Sequence, residues 1–379
     1  MNVTVAIDSL KGSLTSKEAG EAVKRGILDI YPDASVFVRP IADGGEGTTE
    51  AIVEALEGEF REITVSDPLM RPVKAKYGII DKTAVIEISA AAGITLVTKD
   101  ERNPLNTSTY GVGELIKDAI SLGIREFIIG LGGSATNDGG TGMLKALGFG
   151  MTDKNGKEIA NGAKGLCELA SIDTKNAIPE LSECKFRIAC DVENPLCGKN
   201  GCSAVFAPQK GADSAMIKDM DLWLSRYADI TESVIPKADK NAKGAGAAGG
   251  LGFAFLTYLN GVLEHGIDLV IEKTKLEDYI KKSDIVITGE GRLDSQTVMG
   301  KTPVGVSKLA KKHDKTVIAF AGCVTEDSEI CNAYGIDAFF PIVRGAVSLE
   351  EAIDKKNAKK NMTLAVRQAF RLIKAVKGI

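Results

Sequence analysis

Histidine is scarce in this sequence: 379 residues contain two, His265 and His313. A zinc-binding HExxH helix is therefore excluded, and a Ser-His-Asp triad would have to rest on one of these two. The seven cysteines (Cys167, Cys184, Cys190, Cys197, Cys202, Cys323, Cys331) are odd in number and include no CxxC pair, so neither a zinc site nor a disulfide framework is indicated. No sign of charge dominates. Lys and Arg number 47 against 51 Asp and Glu, a net charge of −4, which argues against a nucleic-acid partner bound across the whole surface. The chain opens MNVTVAIDS, a strand pattern without a basic stretch and apolar run of the signal-peptide kind, so the expected location is the cytoplasm. The longest uncharged run, 244–263, is broken by glycines and by Thr257, Tyr258 and Asn260; it reads as a buried loop and helix, and no membrane partner is expected.

What the sequence does have is glycine, 41 residues in clusters, the mark of tight turns or of backbone brought close to a ligand. A hydrophobic fraction of 44 % and a charged fraction of 26 % are ordinary for a globular protein. At roughly 100–200 residues per domain, the length suggests two domains. The pattern agrees. Val3–Ile7 reads as a strand, Thr15–Glu18 as a capping box opening a helix to about Ile30, Ala34–Arg39 as a second strand, and Gly44–Gly47 as the turn into a helix ending at Leu56. Strands alternating with helices predict a parallel sheet. After Gly58 the pattern changes to three successive strands, Arg61–Ser66, Val73–Ile80 and Ala84–Ile88, an antiparallel or mixed arrangement. Strands at Glu126–Leu131 and Lys185–Val192 follow. Alternation returns with strands at Asp284–Thr288, Thr316–Ala321 and Ala338–Val343 and a closing helix over Lys359–Val376. The expected organisation is one parallel α/β domain built from residues 1–58 and 261–379, interrupted by a second α/β domain over 59–260.

Nucleotide fingerprints are present in letter only. Gly244–Gly249 (GAGAAG) fits GxGxxG but follows no strand, and Gly130–Ala135 (GLGGSA) follows a strand but leads into TNDGG rather than an apolar helix. Gly300-Lys301-Thr302 resembles the end of a P-loop, but Ser295 stands where its first glycine belongs. Four other polar, glycine-bearing or acidic stretches lie directly after predicted strands: Asp8–Ser13, Ile41–Gly47, Asp191–Pro195 and Thr288–Asp294. Any one of them is compatible with a surface turn. Together they supply carboxylates for Mg²⁺, Lys11 and Arg292 as cations for anions, and glycine amides for oxygens, which is what phosphoryl transfer needs.

Seven segments taken in order resemble the bacterial glycerate kinase family: Asp8–Leu14 (DSLKGSL), Pro40–Thr48 (PIADGGEGT), Gly130–Gly140 (GLGGSATNDGG), Ala189–Gly198 (ACDVENPLCG), Val205–Ala212 (VFAPQKGA), Gly246–Gly252 (GAAGGLG) and Ile287–Thr297 (ITGEGRLDSQT). Leu10 departs from the family's usual Phe. The resemblance implies a flavodoxin-like parallel-sheet domain split by an inserted α/β domain, with the active site in the cleft between them. It implies ATP as phosphate donor and glycerate as the small-molecule substrate, with 2-phosphoglycerate the usual product; the γ-phosphoryl group needs Mg²⁺ and a cation. A 3-kinase, a Mg²⁺-dependent phosphatase on the same carboxylates and a non-catalytic sugar-acid sensor are the alternatives; homo-oligomerisation is compatible with the sequence. On these positions Lys11, on the transferring phosphate, and Asp191, orienting or deprotonating the hydroxyl, are the expected catalytic residues. Asp8, Ser9, Ser13, Asp43, Gly44, Gly45 and Arg292, the last on the glycerate carboxylate, are expected to bind substrate. Gly289, Glu290, Gly291 and Asp294 are expected at the nucleotide phosphates, and Asp43 and Glu290 at the metal.

Overall fold

Short β-branched runs separated by capped amphipathic helices produce the strands β1 (Asn2–Val5), β2 (Ser35–Val38), β3 (Glu59–Ser66), β4 (Pro72–Ile80), β5 (Thr83–Glu87), β6 (Glu126–Gly130), β7 (Gly150–Thr152), β8 (Ser171–Asp173), β9 (Lys185–Ala189), β10 (Val262–Glu264), β11 (Ile285–Leu293), β12 (Thr316–Val324) and β13 (Ala338–Pro341). The structure is a computed structural model and describes residues 1–377; residues 378 and 379 of the C-terminal segment lie outside the described residues. The chain forms two compact units, Met1–Glu57 together with the chain from His265 onward, and Gly58–Glu264.

The first unit is a parallel five-stranded sheet in the order β2-β1-β11-β12-β13. Counting only this unit's strands, the order is 2-1-3-4-5, the flavodoxin-like order. Val3, Val5, Ile285 and Ile287 belong to one buried cluster with Ala19, Val23, Met362 and Val366, from the helices Ser16–Leu28 and Lys355–Lys377. The first of these helices starts at the expected capping box: the Thr15 hydroxyl accepts from the Glu18 amide, and the Glu18 carboxylate accepts from the Thr15 amide, both at 3.2 Å. Gly26 lets the two helices close up, since a Cβ there would lie 2.7 Å from the Thr363 carbonyl oxygen.

One element is longer than its sequence suggests. Gly289–Leu293 reads as a loop, yet β11 runs on through it, paired as far as Arg292 with Cys323 and Leu293 with Val324. Glycine is a poor strand former, but Gly289 is needed here: a Cβ would lie 1.8 Å from the Phe320 carbonyl oxygen, and its φ of +154° is one that other residues rarely adopt.

The second unit carries a six-stranded mixed sheet, β10-β9-β6-β5-β4-β3, antiparallel over β3-β4-β5 and parallel from β5 to β10. β7 and β8 form a separate antiparallel pair. Val262–Glu264 pairs with β9 and is held there by Arg187, whose guanidinium donates to both Glu264 oxygens at 2.7 and 2.6 Å. These residues thus lie in the second unit, which runs to Glu264, whereas the expected range ended at 260. The 244–252 glycines serve backbone packing: a Cβ on Gly249 would lie 2.0 Å from the Thr136 carbonyl oxygen. Among the described residues no helix is long and apolar enough to cross a membrane.

Candidate active site

In a doubly wound sheet, ligands bind beyond the carboxyl ends of the strands, where the winding reverses. In the first unit that point lies between β1 and β11, the neighbours from which the chain winds outward in opposite directions. The segments leaving these two strands are the ones that carry Asp8–Ser13 and Asp294–Thr302.

Asp8 is 3 % exposed. The Ser9 amide donates to one of its carboxylate oxygens at 2.6 Å and the Thr302 hydroxyl to the other at 2.9 Å. Burial, and next the negative charge of Asp43, push the Asp8 carboxyl up from 3.8 to about 7, against the pull of Thr302, Ser9 and Lys11. Asp43 follows β2, half-buried, and accepts from the Gly45 amide at 3.0 Å. Glu290, also buried, accepts from the Thr297 hydroxyl at 2.7 Å and faces the Lys301 ammonium at 3.8 Å. Burial raises its pKa, with Asp43 and Asp294 adding to the effect and Thr297 and Lys301 opposing it. Asp8, Asp43, Glu290 and Asp294 therefore act on one another in a chain of like charges with Lys11 and Lys301 as the nearby cations.

Lys11 itself is exposed, on the turn that Leu10 and Leu14 close by a β-bridge; Gly12 takes the turn's φ of +75°. Gly291 runs alongside this turn, its Cβ direction 3.6 Å from the Lys11 amide nitrogen. Arg292 lies on β11 rather than on a loop, its side chain 63 % exposed and its Nε 3.3 Å from Asp294. Three hydroxyls of these segments and strands, Ser13, Thr48 and Thr288, are buried without a hydrogen-bond partner among the described residues, an arrangement that is costly unless a ligand or water completes it. Gly289 is accounted for by strand packing. Asp191, by contrast, belongs to the second unit, exposed just beyond the end of β9.

Thr297, Lys301 and Thr302 are not among the site residues expected from the sequence. Thr302 reads as the start of a helix, and it is the first residue of Thr302–Lys311, but its hydroxyl is spent on Asp8, 294 positions away. No local signal encodes that contact. Among the described residues no three His, Cys, Asp or Glu side chains form a ready metal-binding group. Mg²⁺ does not require one, since it is commonly held by one or two carboxylates with substrate phosphates and water.

The Glycerate kinase family profile matches residues 3–374. Among the relatives, the glycerate kinase of Bacillus subtilis (strain 168) is 47 % identical over 379 residues, covering 100 % of this chain and 99 % of that protein. The glycerate 2-kinase of Escherichia coli (strain K12) is 45 % identical over 369 residues, covering 97 % of this chain and 96 % of the other. A crystal structure of a Salmonella typhimurium LT2 protein assigned as glycerate kinase 2 superposes with a TM-score of 0.91 at 43 % identity, covering 100 % of both chains. With matched segments running through both units and a flavodoxin-like sheet carrying the first, the chain belongs to the glycerate kinase family.

Proposed function

We propose that this enzyme transfers the γ-phosphoryl group of ATP to the 2-hydroxyl of glycerate, releasing ADP and 2-phosphoglycerate. Family membership over nearly the whole chain and the glycerate 2-kinase relative support the activity and its regiochemistry. The observation that carries the chemical reading is the group of buried, mutually repelling carboxylates with Lys11 and Lys301 at the point where the winding of the parallel sheet reverses. Carboxylates crowded in this way suit a cation, and Asp43 and Glu290 are the residues that would hold Mg²⁺. When bound, the metal neutralises charge on the phosphates.

The chain's own groups divide the remaining work. Lys11, exposed on a short closed turn, meets the transferring phosphate. Ser9, Ser13, Gly44 and Gly45 offer hydroxyls and amides to the substrate oxygens, and Asp8 accepts from a substrate hydroxyl. Arg292 draws the glycerate carboxylate. Gly289, Glu290, Gly291 and Asp294 line the nucleotide phosphates, and Asp191 orients the attacking hydroxyl or takes its proton. Gripping the carboxylate fixes the neighbouring 2-oxygen more closely than the 3-oxygen, one rotatable bond further out, which favours attack from the 2-position.

The test is ADP release from ATP, Mg²⁺ and glycerate, followed by phosphorus NMR of the product. A phosphorus signal coupled to the single C2 proton is expected. Coupling to the CH₂ protons would make the enzyme a 3-kinase, and phosphate-ester hydrolysis without ATP would make it a phosphatase.

A further inference from the structure

The glycine-rich turn after β6, set aside above as a dinucleotide fingerprint, has an arrangement that the family motif alone does not explain. Leu131 still donates to Ala189 across the sheet, and Ala135 donates to Ala92. Between them, the amides of Gly132, Gly133 and Ser134 find no acceptor among the described residues. Gly133, exposed and at φ +72°, takes the left-handed turn conformation found in anion-binding backbone nests. Such a concavity attracts an anion.

Behind the turn lies a cation. Lys210 is 2 % exposed, and its ammonium donates to the Ser134 hydroxyl at 2.7 Å and to the Thr136 carbonyl oxygen at 2.6 Å. No salt bridge neutralises it among the described residues. The groups that act on it through space are Asp138 and Cys202, the latter a thiol that burial pushes up to about 11, and burial lowers the Lys210 pKa to about 8. The Asp138 carboxylate is already committed to the Thr109 amide and hydroxyl and to the Gly140 and Gly142 amides, at 2.9 to 3.2 Å. A fully buried lysine without an ion-pair partner is expensive, and a structural role alone would be met more cheaply by a neutral donor.

We propose that the Gly132–Ser134 amides form a binding site for the phosphate chain of the nucleoside triphosphate, with Lys210 as the positioning residue that holds the turn and lends it positive potential. This rests on the kinase reading above and deepens it by naming a phosphate-binding segment within Gly58–Glu264. A triphosphate fits better than a carboxylate because several converging donors and a backing charge suit an oxygen-rich polyanion.

The test uses the full-length enzyme. Lys210→Met is expected to raise the KM for ATP at least tenfold while leaving the KM for glycerate within about twofold, and to weaken tripolyphosphate binding in calorimetry to a similar extent. Ser134→Ala removes one anchor of the turn and is expected to raise the KM for ATP severalfold with the circular dichroism spectrum unchanged, so the question stays decidable if Lys210→Met does not fold. An unchanged KM for ATP in Ser134→Ala, or a rise in the KM for glycerate alone, overturns the proposal. If the wild-type enzyme does not phosphorylate glycerate but binds tripolyphosphate in a manner dependent on Lys210, the phosphate site stands and the kinase reading fails.

Discussion

Replacing Asp8 by Asn should make the protein more stable and the enzyme far less active. The side chain keeps its shape, and the Ser9 amide can still donate to the remaining oxygen. What disappears is a carboxylate held out of water at 3 % exposure beside the charge of Asp43. The rise from 3.8 to about 7 sets the scale: at 1.36 kcal/mol per pKa unit it corresponds to about 4 kcal/mol, a ceiling that relaxation and water entry reduce to about 2 kcal/mol. The sign follows from linkage. A carboxyl whose folded-state pKa is raised contributes its stability below the unfolded value, near 3.8, and loses it as the pH climbs through about 7. The wild-type protein should therefore lose this stability between about pH 4 and pH 7, and the Asp8→Asn variant should not. Urea midpoints of both proteins measured from pH 4 to pH 8 should start close together and separate as the pH rises, with the variant the more stable at pH 8. A variant less stable at pH 8, or a difference that does not change with pH, would refute the reasoning. Activity should fall by at least about a hundredfold, because the strained carboxylate is the group proposed to meet substrate.

Lys11→Met should reduce kcat by about two orders of magnitude or more with a nearly unchanged thermal midpoint, because Lys11 is exposed on a surface turn; near-normal turnover would remove it from the site. Gly289→Ala should cost more than about 2 kcal/mol in a denaturant titration, since the added carbon would have to displace the Phe320 carbonyl and part β11 from β12. Thr302→Val leaves one Asp8 oxygen without its donor, so it should push the Asp8 pKa higher still and shift the acidic limb of the kcat/KM profile to higher pH.

The parts of this fold that can be read from the sequence are those written in neighbouring residues. Thr15 and Glu18 specify a helix start three residues apart, and the capping box forms as written. β1 and β2 are β-branched runs bounded by polar turns, and both form. Contacts that depend on distant partners leave no such trace. The stretch Gly289–Leu293 is poor strand material, and only β12 alongside holds it extended. Lys210 sits in a Pro208–Gly211 turn of the kind usually found on the surface; it is buried by the packing of Ser134, Thr136 and Cys202 around it. Asp8 and Asp43 could be found because each follows a strand, and Glu290 because it follows the β-branched run Asp284–Thr288 and lies within β11, but their mutual repulsion depends on the order in which those strands lie side by side.

That strand order also bears on how the protein is made. β1, at the very start of the chain, is flanked in the finished sheet by β2 and β11, and β11 ends at Leu293. During synthesis Gly58–Glu264 is complete, and free to fold as a unit, while β1 still lacks one neighbour and the first helix still lacks the Lys355–Lys377 helix that covers it. The first 57 residues must therefore wait on the ribosome with an open strand edge and an uncovered apolar helix face, a state prone to capture by chaperones or by other nascent chains. A circular permutant that begins at His265 and joins the native C-terminus to Met1 would make the five strands of this sheet consecutive. It should gain more in refolding yield and expression than in final stability.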